Sequence, residues 1–292
     1  MPGLPPAAAD AREGEGALDI GTIAGLVLAV GAILGSTIME GGSIGALISP
    51  SALVLVLGGT IGVTIVSNGL KEVLGLPKLL AQTLRSRAYD PQASIEKLVQ
   101  LAQKARREGL LSLETEIADI DDQFLARGLQ MVVDGSDIEA VRSVLETDIS
   151  FMERRHSIGS TIFETAGGYA PTMGIIGTVM GLIHVLSNLS DSGKLGAAIA
   201  SAFLATFYGI STANVFWLPI ASQLKAKTKR EVDERTLCLE GILSIQSGDN
   251  PSTVRDKLGV FLPPSQAGKG GGAAEGGAGG VAEPARAGGA GG

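Results

Sequence analysis

The chain has 292 residues, of which 45% are hydrophobic, 42 are glycine and 18% are charged, with a formal net charge of −7. This apolar, glycine-rich composition exceeds that of an ordinary soluble domain and indicates a membrane protein. The excess of acidic residues argues against nucleic-acid binding, which needs clustered lysine and arginine, so we expect no nucleic-acid partner.

The N-terminal part of the chain predicts a short disordered segment followed by a membrane hairpin. Residues 1–18 are rich in proline, alanine and glycine, and we expect them to be disordered. No Asp, Glu, Lys or Arg interrupts Ile20 to Met39 or Gly41 to Leu70. A helix needs about 20 such residues to cross a hydrocarbon core, so residues 19–70 are predicted to form two spans.

The charged block over residues 71–163 has helical periodicity and no strand pattern. Asp90 followed by Pro91 predicts the start of one helix. Ser136 and Glu139 match a capping box at the start of a second helix, whose apolar stripe continues into the third span. We therefore predict a helical domain between spans two and three.

The positions of the basic residues predict the orientation in the membrane. The block over residues 71–163 holds twelve Lys and Arg, whereas the connectors Glu40 to Ser43 and Asp191 to Lys194 together hold one. By the positive-inside rule the block is cytoplasmic. Four crossings then return both termini to the cytoplasm of a multi-pass protein in the bacterial inner (plasma) membrane, in contact with lipid.

Two more uncharged stretches, Thr165 to Ser190 and Leu195 to Leu224, predict a second membrane hairpin over residues 164–224. His184 lies within the first of them and fits either a packing residue or a proton carrier. Residues 225–262 predict a helical C-terminal region, and residues 263–292 a disordered Gly/Ala-rich tail. The predicted fold is an all-α integral membrane protein with four transmembrane helices and a cytoplasmic helical domain.

Small residues recur along spans three and four and predict that another helix approaches their backbones closely, since lipid provides no hydrophobic drive for association. Spans one and two carry bulky side chains suited to lipid contact. We therefore expect spans three and four to face a partner helix. The predicted face consists of Ala170, Gly174, Gly177 and Gly181 in span three and of Ser201, Ala205, Gly209 and Ala213 in span four.

No span contains Asp, Glu, Lys or Arg, although an ion crossing a membrane usually needs a carboxylate at depth. If the protein moves ions, a partner must supply the acid. Pro171 and Pro219 lie near the same cytoplasmic level and fit either a hinge or the punctuation of helix ends. Trp217 fits an anchor at the membrane interface.

Signatures of enzyme chemistry are missing from the sequence. There is no phosphate-binding Gly-Lys-Ser/Thr, no Cys or His pair at metal spacing, and no Gly-x-Ser-x-Gly turn. We expect no enzymatic activity, no metal and no cofactor. The single cysteine, Cys238, cannot form an internal disulfide and is expected to be a reduced packing residue.

Three segments together carry a family resemblance: Ala170 to Gly181 (APTMGIIGTVMG), Phe203 to Gly209 (FLATFYG) and Leu101 to Glu114 (LAQKARREGLLSLE). They resemble MotA/PomA, the flagellar motor stator subunits of the MotA/TolQ/ExbB proton channel superfamily, in the right order from about Leu18 to Leu262. The resemblance implies a pentamer around a dimer of MotB or PomB, whose single spanning helix carries the ion-binding aspartate. Ion passage would rotate the ring and push on the rotor protein FliG.

The resemblance also implies roles for individual residues. Arg106, Arg107 and Glu114 match the family's rotor-facing charges, although their periodicity alone would fit a solvated helix face. Pro171 and Pro219 match the family's paired prolines, which favours a coupling or hinge role over simple punctuation.

Thr178 and Thr206 match the hydroxyls that sodium-type members of the family place near the ion, so both are assigned to the ion pathway. Two departures weigh against sodium: Ser49 stands where such members can carry an aspartate, and Ala205 where they can carry a second threonine. The transported ion is therefore H⁺ or Na⁺, with protons favoured.

Two other interpretations remain open. A channel subunit of the same superfamily could energise a non-flagellar process, such as ExbB/TolQ-like transport or gliding, although those relatives typically have three spans. A passive membrane scaffold would leave the threonine and proline pairs without a role.

Overall fold

The computed structural model describes residues 15–18, 20–77, 79–80, 85–87, 90–187 and 192–262. Two 3₁₀ turns (Ile44–Leu47 and Leu110–Leu113) and two π-helical turns (Val54–Gly58 and Ala213–Trp217) punctuate a nearly all-helical chain, which confirms the predicted fold class. In chain order the other elements are β1 (Glu15–Leu18), α1 (Ile20–Met39), α2 (Pro50–Leu53), α3 (Gly59–Asn68), α4 (Leu70–Val73), β2 (Arg85–Arg87), α5 (Pro91–Glu108), α6 (Glu114–Ile117), α7 (Gln123–Val133), α8 (Ile138–Ser187), α9 (Ser192–Thr212), α10 (Leu218–Gln246) and α11 (Pro251–Gly259).

Among the described residues, four helical runs are long and apolar enough to cross a membrane, as predicted: Gly21–Met39, Ile44–Asn68, Ile138–Ser187 and Leu195–Gln246. We number them spans one to four. The last two runs extend well beyond a bilayer, since α8 alone has 50 residues and is about 75 Å long at 1.5 Å per residue. Spans three and four therefore continue as helices into the extramembrane part of the chain.

The extramembrane helices α5, α7 and α11, with the extramembrane parts of α8 and α10, form one bundle around a shared hydrophobic core. The predicted domain boundaries divide the residues of this bundle into two regions, 71–163 and 225–262. α10 packs against both α5 and α7 and so joins the two regions. Their apolar stripes at helical spacing all converge on the same interior. Leucine and isoleucine side chains with no exposure fill it: Leu98, Leu113, Leu129, Leu145, Leu237, Ile242 and Leu258.

Helix starts follow local capping chemistry. The predicted start at Asp90 is confirmed, because its Oδ1 accepts hydrogen bonds from the N–H groups of Gln92 and Ala93 at 3.0 and 3.3 Å. The capping box proposed for Ser136 is wrong by one residue. Asp137 occupies the N-cap of α8, and its Oδ2 accepts from the N–H of Glu139 at 3.2 Å.

A short two-stranded ribbon was not predicted. β1 pairs with β2 in antiparallel fashion, with Glu15 opposite Arg87 and Leu18 opposite Arg85. The prediction of disorder through residue 18 is therefore wrong for these four residues, because a strand this short cannot display an alternating pattern. The rest of the predicted disordered ends, 1–14 and 263–292, lies outside the described residues.

Cys238 is buried in the bundle core at 4% exposure and is unbridged, as expected. Burial raises the pKa of its thiol to about 12. Because the thiolate is the nucleophile, this thiol should be inert at physiological pH.

The reactivity of Cys238 tests the bundle core. At pH 8, N-ethylmaleimide should modify native Cys238 roughly a thousandfold more slowly than an exposed cysteine, because so little thiolate is present. The control is the double variant Cys238→Ser, Val260→Cys, since Val260 is 83% exposed in the same bundle. Mass spectrometry follows both labelling reactions. Equal labelling rates for the native protein and the control variant would contradict the buried placement of Cys238.

Candidate functional site

Spans three and four pack against each other along a seam where their backbones touch. A Cβ placed on Gly174 would lie 2.8 Å from the carbonyl oxygen of Ala205, and one placed on Gly209 would lie 2.6 Å from that of Ala170. Real Cβ atoms do not approach backbone atoms this closely, so only glycine fits at these two positions. The hairpin closes because these two glycines lack side chains.

The seam uses the small-residue face that the sequence assigned to a partner helix, and the structure corrects that assignment. The faces of spans three and four are complementary and pack against each other within one chain. Only Ser201 turns elsewhere, since its hydroxyl forms a 2.7 Å hydrogen bond with the hydroxyl of Ser49 at the start of span two. The residues of the face that lie in the seam are Ala170, Gly174, Gly177, Gly181, Ala205, Gly209 and Ala213.

The predicted ion-pathway residues Thr178 and Thr206 meet at the edge of the seam. Their hydroxyl oxygens are in hydrogen-bond contact. The Thr178 hydroxyl also lies 2.9 Å from the carbonyl oxygen of Ala202 and 3.2 Å from that of Gly174. Both side chains are half-buried, so the pair is held by the seam yet reachable from one side.

The number of protons and lone pairs on the two hydroxyls decides which groups the threonine pair can bind. Each threonine has one hydroxyl proton and two lone pairs. If Thr178 donates its proton to the carbonyl of Ala202, Thr206 must be the donor in the contact between the two hydroxyls. The Thr206 oxygen then keeps lone pairs for a protonated acid, a water molecule or a cation. Thr206 makes no other side-chain hydrogen bond within the described ranges.

Exposed apolar side chains flank the threonine pair on its open side. On a helix, positions three or four residues apart share a face. Ile175 and Leu182 flank Thr178 in this way, and Phe203 and Ile210 flank Thr206. All four are between 41% and 63% exposed within the subunit.

Tyr208 fixes the other side of span four to the start of span two. Its hydroxyl accepts from the N–H of Ser49 at 2.9 Å and donates to the carbonyl oxygen of Leu47. The sequence gave no sign of this contact, because its partners lie about 160 residues away in the chain. These two hydrogen bonds hold the N-terminal end of span two against span four.

The coupling candidates Pro171 and Pro219 lie in differently built helices. Pro171 sits inside the unbroken α8. Pro219 is the second residue of α10, which follows the π-helical turn, where the N–H of Leu218 donates to the carbonyl of Ala213, five residues back. Since Pro171 lies beside Gly209, ten residues before Pro219 on span four, the prolines lie two or more helical turns apart in depth, rather than at one level.

Two other predicted membrane residues have distinct surroundings. Trp217 is buried at 7% exposure, with its ring centroid 6.0 Å from that of Phe163 and 4.9 Å from that of Phe216. Its predicted role as an interfacial anchor is therefore wrong, because span three covers it. His184 is exposed near the end of α8.

The three predicted rotor-facing charges lie at the turn between α5 and α6, which we call the charged tip, away from the threonine pair. Arg106 and Arg107 occupy the last turn of α5, and Glu114 begins α6. All three are exposed, and none forms an ion pair within the part of the chain that the structure describes. No cluster of metal ligands occurs among those described residues either.

The seam predicts that Gly209 tolerates no side chain. Gly209→Ala should destabilise the purified protein in detergent by about 1–3 kcal/mol, because the added methyl meets backbone that cannot yield. The readout is the thermal unfolding midpoint. Gly168→Ala is the matched control, because Gly168 is exposed on span three with no atom within 4 Å of its added Cβ. Equal midpoints for the two variants would contradict the backbone contact.

Comparison with known proteins shows extensive similarity along the described chain. The profile of the MotA/TolQ/ExbB proton channel family matches residues 116–236, and that of the motility protein A N-terminal family matches residues 23–109. The chain is 40% identical over 250 residues to motility protein A of Bacillus subtilis (strain 168), covering 84% of this chain and 92% of that protein.

Two solved structures have the same fold. The structure of C. jejuni MotAB matches with a TM-score of 0.80 and 32% identity, covering 85% of this chain and 97% of that one. The flagellar MotAB stator complex from Bacillus subtilis matches with a TM-score of 0.78 and 39% identity, covering 84% and 97%.

Proposed function

Because the chain belongs to the motility protein A group of the MotA/TolQ/ExbB proton channel family, we propose that it is a flagellar motor stator subunit that couples inward ion flow to torque. It is a multi-pass membrane protein with four spans. The proposal places it in the bacterial inner membrane with both termini in the cytoplasm, where a MotB/PomB-type single-span subunit completes the stator. The solved complexes of its relatives, which pair MotA with a partner, support that composition.

The threonine pair in an acid-free seam is the observation that carries this proposal. Thr178 and Thr206 place two hydroxyl oxygens and the Ala202 carbonyl together at the edge of two spans. The four spans contribute no carboxylate at this depth. Such an oxygen cluster can assist an ion but cannot hold or release a proton by itself, so a partner's carboxylate completes the pathway.

The partner helix has a defined place on this surface. Because the small-residue seam is filled within the subunit, the foreign helix must meet the open edge, where Ile175, Leu182, Phe203 and Ile210 are exposed. An apolar spanning helix packs there and brings its acid opposite Thr206. A homo-oligomer, taken as a pentamer from the resemblance, would surround the partner with several copies of this edge.

The charged tip suits the rotor contact proposed for FliG. Arg106, Arg107 and Glu114 are exposed and lack ion pairs within the described residues. Exposed pairs contribute only about 0–1 kcal/mol, so such charges steer brief, repeated contacts rather than tight binding. Ion-driven movement of the spans reaches this tip through the continuous helices α8 and α10.

Protons are proposed as the coupling ion, with sodium as the alternative. Ala205 adds no hydroxyl to the pair, and Ser49 is engaged by Tyr208 and Ser201 away from it. Few protein oxygens are thus available to replace the water around a sodium ion. Proton transfer between water and a partner carboxylate needs fewer of them.

Ion dependence of swimming tests the coupling ion. Swimming speed at fixed pH should be unchanged when external sodium is replaced by potassium, and a protonophore should abolish it, because protons carry the driving force. Loss of speed without sodium would overturn the proton assignment and leave the stator assignment standing.

Charge reversal tests the rotor contact. Arg106→Glu and Glu114→Lys should each impair swimming, while membrane level and ion flux through a complex with an unplugged partner stay unchanged. Arg127→Glu, an exposed charge on α7, is the control and should swim normally. Normal swimming in both single and double reversals would count against the contact.

The flux measurement also separates the competing functions. If the complex conducts ions but deletion of this protein leaves swimming unchanged, the result would favour the ExbB/TolQ-like alternative, in which the channel energises another process. No flux with any single-span partner would leave only a passive scaffold.

A further inference from the structure

The charged tip is a tight hairpin between α5 and α6, whose apex spans residues 106–114. The Lys104 ammonium lies 2.6 Å from the Glu116 carboxylate and 3.4 Å from the Thr115 hydroxyl. These contacts place the two arms side by side, so the residues between them form the apex. Gly109, with φ +86°, makes the reversal that other residues rarely adopt.

Local hydrogen bonds and one buried leucine hold this apex in a single shape. The Ser112 hydroxyl donates to the Gly109 carbonyl at 2.7 Å, and the Thr115 hydroxyl donates to the Ser112 carbonyl at 3.1 Å. Leu113 has no exposure and anchors the 3₁₀ turn in the bundle core. The hydrogen bond to Glu116 raises the pKa of Lys104, which favours the charged ammonium in this contact.

Leu111 projects from this fixed apex. It is 73% exposed, whereas Leu113 two positions later is fully buried. Single exposed leucines are common on protein surfaces and need no explanation by themselves. Leu111 differs because the turn presents it among exposed charges of both signs, Arg106, Arg107 and Glu108 on one arm and Glu114 on the other.

We propose that Leu111 is an apolar anchor that inserts into a recess on the rotor protein, with the flanking charges meeting opposite charges on the rim of that recess. This inference rests on the proposed stator function and extends it to the contact surface. Charge complementarity selects the occupant: the recess must carry acidic groups opposite Arg106 and Arg107 and a basic group opposite Glu114. A central apolar residue within a polar rim is the arrangement of protein interfaces in general.

The anchor and the charges have separate tasks. Charges act over several ångströms and bring the two surfaces into register, whereas apolar contact acts only once water is expelled. Apolar contact through a single leucine is weak enough for the two surfaces to separate at each step of the motor. The charges alone would let the surfaces slip when the motor works against a high load.

Substitution of Leu111 tests this division. Stall torque of tethered cells should fall about twofold or more in Leu111→Ala, the loss expected when a contact residue is truncated. Leu111→Met should retain torque, because it keeps the apolar volume. Val260→Ala, which alters another exposed apolar residue of the bundle, should match the unsubstituted protein.

Two further readouts separate this inference from the proposed function. Ion flux with an unplugged partner should be the same in Leu111→Ala and in the unsubstituted protein. A photoreactive amino acid at position 111 should cross-link to the rotor protein, identified by mass spectrometry, whereas one at position 260 should not. Unchanged torque in Leu111→Ala, or no rotor adduct from position 111, overturns the anchor. Absence of flux and torque in the unsubstituted protein overturns the stator function itself.

Discussion

The backbone contact between spans three and four is the constraint on which the remaining membrane structure depends. Gly174 and Gly209 let each helix lie against the carbonyl groups of the other, and in lipid such van der Waals contact is a main source of helix association. The same approach brings the hydroxyls of Thr178 and Thr206 together. With bulkier residues in the seam the helices would stand apart, and the oxygen cluster at its edge would be lost.

The contact is useful to a motor because both helices continue out of the membrane. α8 runs for 50 residues, and span four continues past a π-helical turn into the 29 residues of α10, so helical backbone joins the oxygen cluster to the bundle. Arg235 of α10 lies 3.4 Å from Asp148 of α8, and its guanidinium carbon is 5.3 Å from the ring centroid of Phe124 in α7. Arg235 therefore links the extramembrane parts of α8 and α10 to α7.

Hydropathy and helical spacing predicted the four spans and the helical bundle, because these depend on patterns within one helix. The family resemblance, rather than these patterns, singled out Thr178 and Thr206 as ion-pathway residues. These patterns could not identify the helix against which each small-residue face packs. Glycine at every fourth position indicates close packing without naming the second helix, so the seam was assigned to a foreign helix. Tyr208 and Ser49 were missed as a pair for the same reason, since their contact depends on tertiary structure. Trp217 at the end of a span looks interfacial until Phe163 is seen to cover it.

Disulfide cross-linking between positions 178 and 206 tests the central contact most directly. In a Cys238→Ser background, the double variant Thr178→Cys, Thr206→Cys should form an intrachain disulfide on mild oxidation in membranes, and the protein should stay monomeric on a non-reducing gel. Co-expressed single-cysteine variants should give no dimer. A dimer from the mixed single variants would show that the small-residue faces meet between subunits, which would contradict the closed hairpin.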